Sequence, residues 1–241
     1  MSLNIFTLAI APTIAYIFWI YLKDKYDKEP INRLVKFFLL GVFMGVIALI
    51  IEFILLKLNI LTGYTSIIYI SFIVAGMTEE GLKAFVLIPN LLKERYFNEE
   101  LDGIIYSVFL SLGFATLENL LYILKEDQST VIQVGLIRAI ISVPAHMLFA
   151  ITMGYYISKY KFSTDKFKKR EYLILSVLIP ILIHGVFDFI LMIEYRWSII
   201  LFVVYVLFLG KLNLDKLDKY IINSKNRFKR RKKRIRKDDK N

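Results

Sequence analysis

Apolar residues in this chain come in long runs broken by short polar stretches. Seven runs stand out, over residues 3–22, 34–56, 67–88, 103–124, 131–157, 172–192 and 197–210. Most hold about 20 residues, the length that lets a helix cross a hydrocarbon core of about 30 Å. Glycine (11) and proline (5) are scarce, and none of the runs alternates as barrel strands do. The pattern predicts an all-α, polytopic membrane bundle of about seven transmembrane helices, the last being short for a span. The first run has no Lys or Arg before it, so it reads as a permanent span rather than a cleaved signal.

The third run is not purely apolar. It carries Glu79, Glu80 and Lys83. Further polar residues sit inside later runs: Glu118 and Asn119 in the fourth, Arg138 and His146 in the fifth, His184 and Asp188 in the sixth. At the bilayer centre each charge costs about 2.5–3.5 kcal/mol, so these groups are expected to meet in one hydrated cavity. Helical spacing agrees. Glu79 and Lys83, and His184 and Asp188, are each four apart, and Arg138 and His146 eight apart, so each pair shares a helix face. Glu52, Lys57 and Lys36 fall at span ends and read as structural residues snorkelling to water.

Charge placement orients the chain. Of 32 Lys and Arg, 27 fall in the odd-numbered connections and the tail after residue 210, against three in the even ones. The positive-inside rule then puts the N-terminus outside and the C-terminus in the cytoplasm. The chain divides into a transmembrane domain, residues 1–210, and a basic cytoplasmic tail, residues 211–241. Leu212, Leu214, Leu217 and Ile221 recur in that tail at near-helical spacing, as in a short interfacial helix. Eleven Lys or Arg between residues 225 and 240 suit anionic lipid head groups, favoured here over nucleic acid.

Composition narrows the chemistry. With 57% hydrophobic residues and a mean hydropathy of +0.56 in 241 residues, the apolar surface exceeds what one soluble core would use. Cysteine is absent, which removes thiol nucleophiles and thiolate ligands. No His-Glu-x-x-His, Gly-x-Ser or Gly-x-Gly-Asp occurs, excluding site-2-type zinc proteases and arguing against rhomboid and presenilin types. Glutamates and histidines remain. The adjacent pair Glu79 and Glu80 could deprotonate water with no cofactor, imidazole or amide donors holding the oxyanion. Alternatively, Zn²⁺ held by His146, His184, Glu80 and Glu118 could carry the water. Spacing fits both. Lys83 reads as neutralising Glu79, Arg138 as a partner for a glutamate, Asp188 as orienting His184, and Asn119 as a helix-packing hydrogen bonder.

Several stretches together resemble the PrsW family of membrane proteases, within the superfamily of CAAX prenyl endopeptidases and Abi immunity proteins. They are Asp-Lys-Tyr-Asp-Lys-Glu-Pro at 24–30, Glu-Glu-x-x-Lys at 79–83, and Leu-Asp-Gly-Ile-Ile-Tyr at 101–106. Gly-Phe-x-x-x-Glu-Asn-x-x-Tyr at 113–122, Arg138 with His146, and His-Gly-x-x-Asp at 184–188 come next in order. The resemblance implies a bacterial cell-membrane endopeptidase making the first, extracytoplasmic cut in a membrane-spanning anti-sigma factor. It implies Glu79, Glu80, Glu118, His146 and His184 as the catalytic set, with Asp188 beside the last histidine. Glu118 stands where the prenyl endopeptidases have histidine, as it does in PrsW proteins. The rival classes are a proton- or cation-coupled transporter and a non-catalytic scaffold, and no internal repeat of the transporter kind is visible.

Overall fold

The computed structural model describes residues 2–193 and 195–238; the end of the basic tail, residues 239–241, lies outside them. Nine α-helices and two π-helical segments succeed one another, with no strand among the described residues. They are α1 (Ser2–Lys23), α2 (Ile31–Lys57), α3 (Gly63–Ile68), α4 (Thr78–Leu92), α5 (Glu100–Lys125), α6 (Val131–Ile137), α7 (Val143–Phe162), α8 (Lys166–Met192) and α9 (Ser198–Asp238). The π-helical segments, Tyr69–Met77 and Arg138–Ser142, fuse α3 to α4 and α6 to α7. Residues 63–92 are therefore one helical pass, and residues 131–162 another. Among the described residues, six helical stretches are long and apolar enough to cross a membrane. The pass over 63–92 adds the one that carries Glu79, Glu80 and Lys83.

Proline explains one π segment. Pro144 has no N–H to give, and just ahead of it the Val143 N–H reaches back five residues to the Arg138 carbonyl. In the other segment the Thr78 hydroxyl donates across the same five-residue interval to the Ile73 carbonyl at 3.2 Å. A π turn inserts one residue and rotates the remainder of its helix by about 100°. The first lies immediately ahead of Glu79 and Glu80, and the second runs from Arg138 to four residues before His146.

Helix α5 is the central post. In its most apolar stretch 72% of residues are buried, against 17% in α1 and in α9, which turn most of their surface outward. Around α5 stand α1, α2, α7 and α9, and α8 closes on α7 and on the first π segment. Glycine sets the closest approaches. A methyl on Gly154 would stand 2.3 Å from the Gly103 carbonyl oxygen, so α5 and α7 meet backbone to backbone there. A methyl on Gly76 would stand 2.9 Å from the Ile181 carbonyl oxygen, so only glycine lets α8 lie against the segment that leads into Glu79 and Glu80.

The last apolar run and the tail form one helix. Forty-one residues at about 1.5 Å each give α9 a length of about 60 Å. Its buried face runs Phe202, Leu209, Asn213, Leu217, Tyr220 and Ser224, and that stripe holds residues 211–224 against the bundle.

A buried polar network and an acidic clasp

Glu79 and Glu80 lie in the first turn of α4. Neighbouring helical residues point about 100° apart, so the two carboxylates leave α4 on different sides. Lys83, one turn on, reaches both: its Nζ is 3.1 Å from Glu79 Oε2 and 2.7 Å from Glu80 Oε1. It also donates to His146 Nδ1 at 3.1 Å and sits 4.1 Å from the centre of the Phe114 ring. At 1% exposure this ammonium has exchanged water for two carboxylates, an imidazole and an aromatic face.

Two arms leave Lys83. With an ammonium donating to Nδ1, the ring hydrogen of His146 sits on Nε2, where Glu118 Oε2 accepts it at 2.7 Å. The other oxygen of Glu118 forms an ion pair with Arg138 Nη2 at 3.0 Å, without aligned hydrogen-bond geometry. Arg138 Nε donates to Asn119 Oδ1 at 2.8 Å, and Asn119 Nδ2 donates to the Ala9 carbonyl at 2.6 Å, tying the arm to α1. In the second arm Glu80 Oε1 lies 3.1 Å from His184 Nδ1, and His184 Nε2 lies 3.3 Å from Asp188 Oδ2. Phe149 stacks on His184 with centroids 4.7 Å apart, and the two imidazole rings stand 5.6 Å apart, nearly perpendicular. All nine residues singled out from the sequence thus fall in one connected network from α4, α5, the fused α6–α7 pass and α8.

The glutamates are not equivalent. Glu80 is fully buried, and its Oε2 has no hydrogen-bond partner. Glu79 lines a cleft between α2 and α5, together with Gly45, Ala48, Leu49 and Glu52 on one wall and Phe114, Leu117, Glu118 and Leu121 on the other. Glu52 corrects its reading as a snorkelling span-end residue. It lies one turn beyond Ala48 on the α2 face that looks into the bundle, a direction that distance from a span end does not encode.

Among the described residues, two groups bring metal-ligating atoms within 4.8 Å of one another: Glu79, Glu80 and His184, and Glu79, Glu118 and His146. The mixture of carboxylate and imidazole suits a zinc-like cation, and the unpartnered Glu80 Oε2 offers a buried anionic ligand. The residues fit such an ion, with a change from the set expected from sequence: the two histidines belong to different groups, which share Glu79.

A second acidic cluster had no role assigned from the sequence, although its residues lie in stretches 24–30 and 101–106. Asp24 Oδ2 accepts the Glu29 N–H at 2.9 Å, and the Tyr106 hydroxyl donates to Glu29. Asp102 Oδ2 caps α5 by accepting from Asn98 N at 2.8 Å and Glu99 N at 2.7 Å. Helix α9 closes this clasp from below through Arg227, which donates to the Asn98 carbonyl at 2.6 Å, and Asn223, which donates to Glu100 at 2.7 Å. Burial pushes the Glu29 carboxyl up to about 7, against the lowering effect of Tyr106, and pushes Asp24 up to about 6.

Residues 29–211 match the model of a family described as PrsW family intramembrane metalloprotease. The chain is 60% identical over 228 residues to a protein named Protease PrsW from Clostridioides difficile (strain 630), covering 95% of this chain and 96% of that one. It is 38% identical over 193 residues to the Protease PrsW of Bacillus subtilis (strain 168), covering 80% and 85%. The Geobacillus kaustophilus protein of the same name is 37% identical over 195 residues, covering 81% and 83%. No solved structure matches the chain.

Proposed function

The chain belongs to the PrsW family of intramembrane metalloproteases and is a multi-pass membrane protease, and we propose that it hydrolyses a peptide bond of a single-span anti-sigma factor in the bacterial cell membrane. The observation that carries this reading is the unbroken network through Lys83, in which Glu79, Glu80, Glu118, His146, His184 and Asp188 converge from four passes.

Glu79 faces the cleft and acts as the base. It takes a proton from water while the water oxygen bonds to the peptide carbonyl carbon. An N–H of His146 or His184, turned from the carboxylate it faces in the resting network, stabilises the oxyanion. As the C–N bond breaks, the proton held by Glu79 passes to the departing amine. Glu80 holds Lys83 and His184 in place, and Asp188 fixes the ring of His184 from its other nitrogen. Glu118, paired with His146 and Arg138, fixes His146 in the same way. A divalent cation such as zinc would be held by Glu79 with Glu80 and His184, or with Glu118 and His146, and would supply a more acidic water and a polarised carbonyl.

In this reading the N-terminus lies outside and the C-terminus in the cytoplasm, with the tail against anionic lipid. One structural feature supports a common side for the basic connections. The end of α9 meets the connection after α1 through Arg231 and Asp27, 3.7 Å apart, and the connection after α4 through Arg227 and Glu99, 3.6 Å apart.

The test is cleavage of a single-span anti-sigma factor by reconstituted protein, with and without chelator. Wild type is expected to cut, while folded Glu79→Ala, Glu80→Ala and His184→Ala variants do not. Normal cutting by all three overturns the proposal, and the chelator arm separates metal-assisted from glutamate-only hydrolysis.

A further inference from the structure

The acids of the network have cationic or imidazole partners: Lys83 for Glu79 and Glu80, Arg138 and His146 for Glu118, and His184 for Asp188. Glu52, half-buried on the wall of the same cleft, has no hydrogen bond or ion pair among the described residues. A carboxylate inside a membrane-spanning helix is costly, and such groups pair or serve a functional site. The position of Glu52 sharpens the point. It stands on α2 beside two glutamates of the network, where like charges add to the cost, and the wall around it consists of Gly45, Ala48 and Leu49, which bring no charge.

We infer that Glu52 is a specificity-determining residue that selects substrates carrying a lysine or arginine close to the cleaved bond. The inference rests on the protease reading of the site. An extended peptide running along the mouth of the cleft would pass Glu79 and Glu118 and then meet Glu52 toward the Lys57 end of α2. From Gly45 to Glu52 the wall advances seven residues, about 10 Å along a helix, which an extended chain covers in about three residues. A basic side chain within about three residues of the scissile bond, on the side toward the Lys57 end, would reach the Glu52 carboxylate. It would supply a positive charge in direct contact with Glu52, which no residue lining the cleft provides. Low hydration within the cleft makes such a pair matter more than an exposed one, since breaking it leaves an uncompensated charge.

The experiment uses the full-length protein in liposomes and a matched set of single-span substrates bearing Lys, Gln or Glu at each of the three positions flanking the cut on that side. Wild type is expected to prefer Lys over Gln at one of these positions by about tenfold or more in kcat/KM. Glu52→Gln is expected to bring that ratio near one, and Glu52→Lys to shift preference to the Glu-bearing substrate. A wild-type ratio near one at all three positions overturns the inference. So does a Glu52→Gln enzyme that keeps the wild-type ratio, or one that loses both substrates equally. A wild-type protein that cuts none of the set would instead count against the protease mechanism, which keeps the two failures distinct.

Discussion

The molecule buries acid in two places and compensates it in two ways. In mid-bundle, Glu79 and Glu80 converge on the buried ammonium of Lys83, and Glu118 and Asp188 face Arg138 and the two imidazoles. At the end where the connection after α1 meets the start of α5, Asp24, Glu29 and Asp102 are satisfied chiefly by backbone N–H groups and the Tyr106 hydroxyl. Fixed dipoles suit an anchor, since they hold geometry and have no proton to exchange near neutrality. Ammonium and imidazole suit a site where charge must move. In the proposed function the first region reacts, while the second holds four elements together, and each can be broken in a way that leaves a different signature.

The largest effect is expected from Glu79→Ala. It removes the base that takes the proton from water and should lower cleavage by about 10³-fold or more with the helices intact. Cleavage within tenfold of wild type in proteoliposomes would move the reaction away from this residue. Next is Lys83→Met, which leaves two buried carboxylates without the ammonium they share. The expected loss is about 3–5 kcal/mol, read as a large drop in thermal stability in detergent, and adding Glu80→Gln should recover part of it. Stability equal to wild type in the single variant would show that Lys83 is not the hub. In the clasp the matching change is Tyr106→Phe, which takes one donor from Glu29. A loss of about 1–3 kcal/mol is expected there, with cleavage retained by the molecules that stay folded.

This asymmetry also explains what was legible in the sequence. Charges in an apolar run announce themselves because lipid makes them costly, so Glu79, Glu80, Lys83, Glu118, Arg138, His146, His184 and Asp188 could be picked out and expected to converge. Pairings within one helix, Glu79 with Lys83 and His184 with Asp188, arise from a four-residue spacing. Pairings between helices do not: that Lys83 reaches His146 depends on how α4 and α7 sit against α5, and on two π turns whose rotation no apolar period records. Glu52 lay too near a span end for hydropathy to tell lipid from cleft. The clasp was hidden for the opposite reason, since acids in a connection look like ordinary solvated loop residues until the fold buries them. Likewise the continuity of α9 depends on Asn213, Leu217, Tyr220 and Ser224 finding a partner surface beyond the point where the chain stops being apolar.

The smallest effect, and the one that separates the two regions by pH, concerns Glu29. Its carboxyl is raised from 4.5 to about 7, first by burial and further by Asp24, so the folded state holds a proton that the unfolded chain gives up. Below about 4.5 both states are protonated and no stability is at stake. Between about 4.5 and 7 the folded state binds more protons, so stability falls as pH rises, and above about 7 the whole cost of a buried carboxylate is present. Asp24, raised to about 6, adds in the same direction over a lower window. Glu29→Gln keeps an oxygen that can accept from Tyr106 but cannot ionise. Thermal unfolding in detergent from pH 5 to 8 should therefore show a wild-type melting temperature that declines more steeply with pH than that of the Gln variant, the curves separating most above pH 7. Parallel curves would mean that Glu29 gives up its proton as easily in the fold as in the unfolded chain, and that the clasp, like the mid-bundle network, neutralises its acids with charge.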